Sequence, residues 1–142
     1  MSTPAGVQFL NPDTLHKNPA FTNVVVVTGP VKMIYVGGQD AVDSSGNIVG
    51  RGDIAAQTEQ VLTNIQNALR AAGAELHHVV KWTLLIVQGQ DLGPGLQVFR
   101  SVWGDVPNQR IIPPRFVPAL AEPEFLLERQ AIAVVPTPSQ AA

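Results

Sequence analysis

The 142-residue sequence predicts a single α+β domain in which two helices pack on one face of a mixed β-sheet. One long segment carries apolar residues at three- and four-residue spacing, which is typical of an amphipathic helix. Short runs rich in β-branched residues lie before and after it. No repeat or linker divides the chain, so we expect one domain over residues 1–142, with frayed tails at 1–6 and 136–142.

Three strands are expected in the first third of the chain, at residues 7–10, 23–28 and 32–37. Four consecutive valines, Val24 to Val27, favour a second strand that is buried on both faces. Gly29-Pro30 is a turn signal, so the second and third strands are predicted to pair as a hairpin. The third strand is expected to lie inside the sheet.

The long helix is expected over residues 53–72, and it should cover one face of the sheet. Asp53 is a good N-cap residue, and Gly73 follows the last periodic position as a C′ glycine does. Gln57 lies off the apolar stripe.

The second half predicts a central strand at residues 79–88 and a short helix at 96–103. Leu96, Phe99 and Trp103 are expected on one side of that helix. The penultimate strand, residues 111–112 and 116–117, is interrupted by two prolines and should be an edge or bulged strand. The last strand is expected at residues 125–135.

Composition excludes several classes of function. The formal charge of −2 and the pI near 5.8 give no general attraction to nucleic acid. Without cysteine, the chain has no disulfide, thiolate chemistry or Cys-based zinc site. No signal peptide or membrane span is recognised, so a soluble cytoplasmic protein is expected. With only 14% charged residues and 45% apolar ones, the surface is expected to be covered in part by self-association.

Two regions carry candidate site residues. The third strand ends in Gly37 and Gly38, which let a ligand or another backbone approach closely, although the pair is equally consistent with a plain strand exit. Near the C-terminus, Glu128 lies between apolar neighbours on the last strand and needs a partner if buried. Arg110 and Arg115 are suited to bidentate capture of a carboxylate, either from a ligand or from Glu128 in an ordinary ion pair.

Several motifs resemble those of the RidA/YjgF family over residues 19–135. Residues 33–39, Met-Ile-Tyr-Val-Gly-Gly-Gln, resemble the family's strand ending in Ser-Gly-Gln. Residues 79–83 match its Val-Val-Lys-x-Thr strand, and the long helix with its Ala-Ala-Gly end is similar to the family's central helix. Residues 113–116, Pro-Pro-Arg-Phe, resemble Pro-Ala-Arg-Ser, and residues 128–134 resemble Glu-Ile-Glu-Ala-Ile-Ala-Val.

The resemblance implies a chorismate-mutase-like fold and a homotrimer with ligand pockets in the clefts between subunits. It also implies an enamine/imine deaminase that needs no cofactor or metal and releases a 2-keto acid and ammonia. In this family an arginine holds the substrate carboxylate, which points to Arg115 or to Arg110. A glutamate helps to position the attacking water, and that role falls to Glu128.

The sequence departs from the family motifs at the expected pocket. Gly37 stands in place of the motif's serine, with Gly38 beside it, and Gln130 stands in place of the second carboxylate. The family's pocket tyrosine has no direct counterpart, and Phe21 or Tyr35 could fill its space.

These departures keep a second interpretation open, in which a non-catalytic trimer binds a small carboxylate or another metabolite, or offers a surface to a partner. A third interpretation, an endoribonuclease, is disfavoured because the chain is acidic and lacks a basic aromatic patch.

Overall fold

A mixed four-stranded β-sheet forms the centre of the molecule, as the computed structural model shows for residues 6–110 and 114–138. The strands and helices follow the predicted order. They are β1 (Gly6–Leu10), β2 (Val24–Thr28), β3 (Val31–Gln39), α1 (Ile54–Ala71), β4 (Val79–Val87), α2 (Gly93–Trp103), β5 (Pro114–Val117) and β6 (Leu127–Pro136), with a 3₁₀ turn at Leu76–His78 before β4.

The strand order in this sheet is β3-β6-β4-β5. β6 runs antiparallel to both β3 and β4, whereas β5 runs parallel to β4 at the sheet edge. β1 and β2 form a separate antiparallel pair. The α+β fold class with a mixed sheet is therefore confirmed, and β5 is an edge strand as its prolines predicted.

Both helices pack on the same face of the sheet. Leu62, Ile65 and Leu69 of α1 and Phe99 and Trp103 of α2 join one buried cluster with inward-facing strand residues. Within this cluster the fully buried Trp82 of β4 meets the rings of Phe99 and Trp103 edge-on, at centroid distances of 6.0 and 6.2 Å. Among the described residues, neither helix combines the length and the apolar character that crossing a bilayer requires.

Helix α1 begins and ends where its sequence signals predicted. The Asp53 carboxylate accepts a hydrogen bond from the Ala56 N–H at 3.1 Å, which satisfies a free donor of the first turn. Gly73 has a φ of +79°, a value that favours glycine after a helix. Gln57 is fully buried despite lying off the apolar stripe, because its side-chain amide bonds to the backbone near the start of β6.

The predicted β2–β3 hairpin is wrong. Pro30 has no N–H, and its carbonyl accepts a hydrogen bond from the Thr137 N–H at 3.0 Å, just beyond β6. The turn is thus tied to the end of β6, and β3 pairs with β6 instead. β3 is consequently an edge strand of the four-stranded sheet and not an interior one.

Two expectations about burial are also wrong. The valines of β2 are only partly buried, and Val27 is 36% exposed. The reason is that β2 belongs to the separate β1–β2 pair and not to the central sheet that the helices cover. Leu96 is 45% exposed. The buried stripe of α2 runs at four-residue spacing through Gly95, Phe99 and Trp103, and Leu96 lies beside it.

Element ends differ slightly from the prediction. Helix α2 begins at Gly93, three positions earlier than expected, because Pro94 suits a first helical turn. The predicted strand residues 111 and 112 lie outside the described residues. So do most of the residues predicted to be frayed, although Gly6 belongs to β1 and Pro136 to β6.

Candidate functional site

The sheet face opposite the helices, here called the open face, carries most of the candidate site residues. Side chains alternate along each strand and register partners share a face, so the strand pairing defines this set. The open face carries Met33, Tyr35 and Gly37 of β3, Lys81, Thr83 and Leu85 of β4, Arg115 of β5, and Glu128, Gln130 and Ile132 of β6.

A pocket of about 360 Å³ lies on this face. Its lining includes Tyr35 and Gly37, which the sequence singled out, and also Lys81, Thr83 and Gln130. These side chains supply a cation, a hydroxyl and an amide, so the pocket can bind a small polar molecule.

A β-bulge at the end of β3 turns Gly38 towards Glu128. Val36 pairs with Ala131 and Gln39 pairs with Arg129, so β3 has one residue more than β6 in this interval. A Cβ atom on Gly38 would lie 2.6 Å from the Glu128 carboxyl carbon and 2.8 and 2.9 Å from its oxygens. Only glycine leaves room for the carboxyl group in this position, whereas Gly37 has open space around it.

Asp40 is a site residue that the sequence prediction missed. The pKa of its carboxyl group is raised from 3.8 to about 6, first by burial and then by the charge and hydrogen bonding of Glu128. Its Oδ1 is buried and has no hydrogen-bond partner among the described residues. Simple alternation along β3 would turn Asp40 towards the helices with Ile34 and Val36, but the bulge reverses that alternation.

Arg115 shares the open face with Glu128. Leu85 pairs with Arg115 on one side and with Glu128 on the other, which sets these three residues in one row across the sheet. At a strand spacing of about 4.8 Å, the Cα atoms of Arg115 and Glu128 lie about 10 Å apart. Arg115 is exposed, and no ion pair between described residues joins it to a carboxylate. Its guanidinium is therefore available to a ligand carboxylate.

The structure does not bring Arg110 to this face. Its guanidinium donates hydrogen bonds to the carbonyl oxygens of His77 (2.8 Å), Pro107 (2.9 Å), Val79 and Asn108. Val79 begins β4, whereas Glu128 lies beside Leu85, about 20 Å further along that strand. Burial lowers the pKa of Arg110 to about 10, so it remains a cation at neutral pH, but it is engaged in tying the backbone together.

The two aromatic candidates, Tyr35 and Phe21, lie in different environments. Tyr35 lies in the open-face pocket and is 72% exposed. Phe21 is half-buried in the loop between β1 and β2. The next residue, Thr22, donates hydrogen bonds to the carbonyls of Gln109 and Arg110, so this loop lies beside the Arg110 segment.

The charged residues around the sheet divide between its two faces. Lys81 lies in the open-face pocket, and strand alternation applied to residues 79–83 could have identified it. Arg129, next to Glu128 in sequence, points to the helix face, where its guanidinium lies over the rings of Trp82 and Phe99. Within residues 6–110 and 114–138, no group of three or more His, Cys, Asp or Glu side chains could hold a metal ion.

Comparisons with known proteins agree with this architecture. The chain matches the family model described as Endoribonuclease L-PSP over residues 15–135. It is 32% identical over 89 residues to 2-iminobutanoate/2-iminopropanoate deaminase of Rattus norvegicus, a match that covers 62% of this chain and 63% of that protein. The chain spans less than two thirds of the length of the first curated relatives it matches.

Solved structures show the same fold. The Rid-family protein YyfB from Yersinia pestis is 29% identical, with a TM-score of 0.78 over 91% of this chain and 98% of that one. TdcF from E. coli, solved with bound serine, is 25% identical, with a TM-score of 0.65 over 72% of this chain and 80% of that one. From the family-model match and these structural likenesses together, the chain belongs to the RidA/YjgF family.

Proposed function

We propose that this protein hydrolyses small reactive 2-imino and 2-enamino acids to 2-keto acids and ammonia. The observation that carries the proposal is the row Arg115–Leu85–Glu128, which sets a free cation and a carboxyl group on the same open face. The rat relative named 2-iminobutanoate/2-iminopropanoate deaminase supports this reaction class.

Each residue of the row has a role in the proposed reaction. Arg115 binds the substrate carboxylate, and Glu128 orients a water molecule towards C2 and accepts its proton. An enamine substrate first takes a proton from solvent at its β-carbon to become the iminium. The water oxygen then adds to C2 while the C=N π electrons move to nitrogen, and Glu128 passes the proton taken from the water to that nitrogen. The C–N bond breaks with its electron pair on nitrogen as the C2 hydroxyl loses its proton to solvent and becomes the keto oxygen, so ammonia leaves. The substrate is already labile, so positioning with modest acid–base help is sufficient.

A homotrimer is part of this proposal. Met33 and Tyr35 expose apolar surface on the open face, and the low charge content of the chain favours covering it. A neighbouring copy packed against this face would close the pocket and remove water from around the substrate. The small carboxylate ligand would then bind between subunits.

The test is a coupled assay with purified protein. A serine dehydratase generates 2-aminoacrylate in the presence of an amine that traps it, and keto-acid formation is followed. We expect the wild-type protein to accelerate keto-acid release and Arg115→Ala to reduce kcat/KM by roughly 100-fold. The matched control is Arg100→Ala, which removes an exposed arginine from α2 and should leave the rate unchanged. No acceleration by the wild type over buffer would refute the deaminase proposal for this substrate.

One observation favours a second candidate function, binding without catalysis. Gly37 lines the pocket where the family motif has serine, so that hydroxyl is missing here. A structural relative was solved with bound serine, which makes serine a suitable probe. Calorimetric binding of serine to a protein that fails the coupled assay would favour a binding protein over an enzyme.

A further inference from the structure

The open-face pocket extends along the sheet from the row that contains Arg115 and Glu128. The next open-face pair along β4 and β6 is Thr83 with Gln130, and the pair after that includes Lys81. Thr83, Gln130 and Lys81 all line the pocket of about 360 Å³. Lys81 lies four residues along β4 from the row, which corresponds to about 13 Å. A ligand held at the row can therefore point its far end towards Lys81.

Lys81 is a cation without a neighbouring carboxylate in this pocket. Within residues 6–110 and 114–138, no ion pair joins Lys81 to an acidic side chain. Gln130 is its diagonal neighbour on β6 and stands where the family motif Glu-Ile-Glu has its second carboxylate. A glutamate at that diagonal position would be within reach of Lys81, whereas the neutral amide leaves the lysine charge to a ligand. Glu128 is two rows away from Lys81.

The pocket also has room for a substrate side chain. Gly37 lines it in place of the motif's serine, and no described atom lies within 4 Å of its Cβ position. Thr83 and Gln130 lie between the row and Lys81, and they offer a hydroxyl and an amide. A short carbon chain lying over these two residues would cross the space that Gly37 leaves open and end at the ammonium group of Lys81.

We propose that the preferred substrates carry a second carboxylate, as the 2-imino derivatives of acidic amino acids do, and that Lys81 selects them. The reaction of these substrates rests on the proposed function, whereas the binding of a dicarboxylate does not. Arg115 binds the carboxylate at C1, C2 faces Glu128, and the side chain runs along the sheet to Lys81.

The strand register is compatible with this arrangement. The Cα atoms of Arg115 and Lys81 are separated by one strand and four residues, or about 14 Å. Two long side chains and a four- or five-carbon dicarboxylate together can bridge this gap. The chemistry at C2 is unchanged, and the products are a 2-keto dicarboxylic acid and ammonia.

Calorimetry with two keto acids tests the dicarboxylate site without any turnover. The probes are 2-oxoglutarate and 2-oxopentanoate, which have the same number of carbons and differ in the terminal carboxylate. We expect the wild-type protein to bind 2-oxoglutarate roughly tenfold more tightly, because a charge-assisted hydrogen bond to Lys81 is added. Equal affinities for the two keto acids, or binding of neither, would overturn the inference.

Two variants of opposite kind test the role of Lys81. Lys81→Met removes the charge, and Gln130→Glu places a carboxylate beside it, so each should abolish the preference for 2-oxoglutarate. Lys81→Arg should keep the preference. Lys17→Met is the control, because Lys17 is an exposed lysine that does not line the pocket. Gln130 is exposed, so Gln130→Glu tests the same assignment if Lys81→Met fails to fold. A preference that survives either substitution would contradict the assignment.

Hydrolysis of two imines tests the substrate preference itself. An amino-acid oxidase with catalase generates 2-iminopropanoate from D-alanine or 2-iminosuccinate from D-aspartate, and semicarbazide competes for each imine. We expect kcat/KM to be roughly tenfold higher for 2-iminosuccinate, and Lys81→Met to remove this difference mainly by raising KM.

The outcomes separate this inference from the proposed function. Hydrolysis of both imines without a preference would overturn the inference and leave the proposed function intact. Tighter binding of 2-oxoglutarate by a protein that hydrolyses neither imine would refute the proposed function and leave the dicarboxylate-binding site in place.

Discussion

Two buried arginines differ in how far the protein satisfies their hydrogen-bond donors. Arg110 is 4% exposed and donates to four carbonyl oxygens, so its buried charge is well solvated by the protein. Arg129 is 5% exposed, but its Nε and one terminal nitrogen have no hydrogen-bond partner among the described residues, and its guanidinium lies over the rings of Trp82 and Phe99. Burial of unpaired donors costs free energy, which cation–π contacts offset only in part.

This contrast predicts opposite effects of the same substitution. Arg129→Met removes the unpaired donors and keeps the volume between the rings, so the free energy of unfolding should rise by about 1 kcal/mol. Arg110→Met leaves four backbone carbonyls without their donor and should lower it by about 3 kcal/mol. Urea unfolding of both variants checks this. A loss of stability in Arg129→Met as large as in Arg110→Met would show that the aromatic contacts dominate.

Gly38 predicts a second contrast. Gly38→Ala puts a methyl group where the Glu128 carboxyl lies, and the displaced carboxyl should lower kcat/KM roughly tenfold or more. Gly6→Ala in β1 is the control, because Gly6 does not line the pocket and no described atom lies within 4 Å of its Cβ position. Steady-state kinetics of the two variants measures the difference. Equal activity in both would mean that the position of Glu128 does not matter to the reaction.

At the scale of elements, local signals determined most of the fold. Helix α1 was predictable in full because its periodicity, its N-cap and its C′ glycine act within the segment itself. The predicted β2–β3 hairpin does not form because β2 pairs with β1, and β3 pairs with β6 from the far end of the chain. Asp40 was missed for a related reason, since a bulge changes which face a residue occupies and its position is set by pairing with β6. Tertiary contacts of this kind leave no periodic mark in the sequence.

Gln57 shows how one element positions another. Its amide nitrogen donates to the carbonyls of Gly50 (3.1 Å) and Glu124 (2.9 Å), and its oxygen accepts from the Leu126 N–H at 2.9 Å. The bonds to Glu124 and Leu126 fix helix α1 to the segment just before β6 and Glu128. The helix therefore holds the entry to β6 as well as covering the sheet.

We expect Gln57→Met to lower the free energy of unfolding by about 2 kcal/mol, because it leaves three partly buried backbone groups without their partner. Glu59→Met places the same side chain at an exposed position two residues along the helix and should change stability little. Chemical denaturation of both variants measures the effect. Equal stability of the two variants would indicate that water replaces the lost bonds.

For the whole molecule, the unequal covering of the two sheet faces is the main feature. One face is filled by both helices, whereas the open face leaves Met33 and Tyr35 exposed beside the candidate site. The sequence indicated this only through its low charge, since composition does not tell which face is uncovered. The site and the proposed subunit interface therefore occupy the same surface.

A trimer predicts that a charge on the open face disrupts assembly. Light scattering of the wild type should give three times the chain mass of 15.1 kDa. Met33→Glu should reduce this towards the monomer, because a carboxylate would be buried at the interface. Leu96→Glu is the control, since Leu96 is 45% exposed on α2 and Met33 is 49% exposed. A wild-type monomer, or equal disruption by both variants, would contradict the proposed interface.

The extra residue in β3 makes the position of Asp40 depend on strand pairing as well as on residue type. A strand of the same length without the bulge would keep strict alternation and turn the Asp40 side chain under the helices, away from Glu128. Removing one of the two glycines together with the bulge would instead leave Gln39 opposite Arg129 and Asp40 on the face of Glu128, because the register on both sides is kept. The segment can therefore lose a residue without moving either acid to the other face of the sheet.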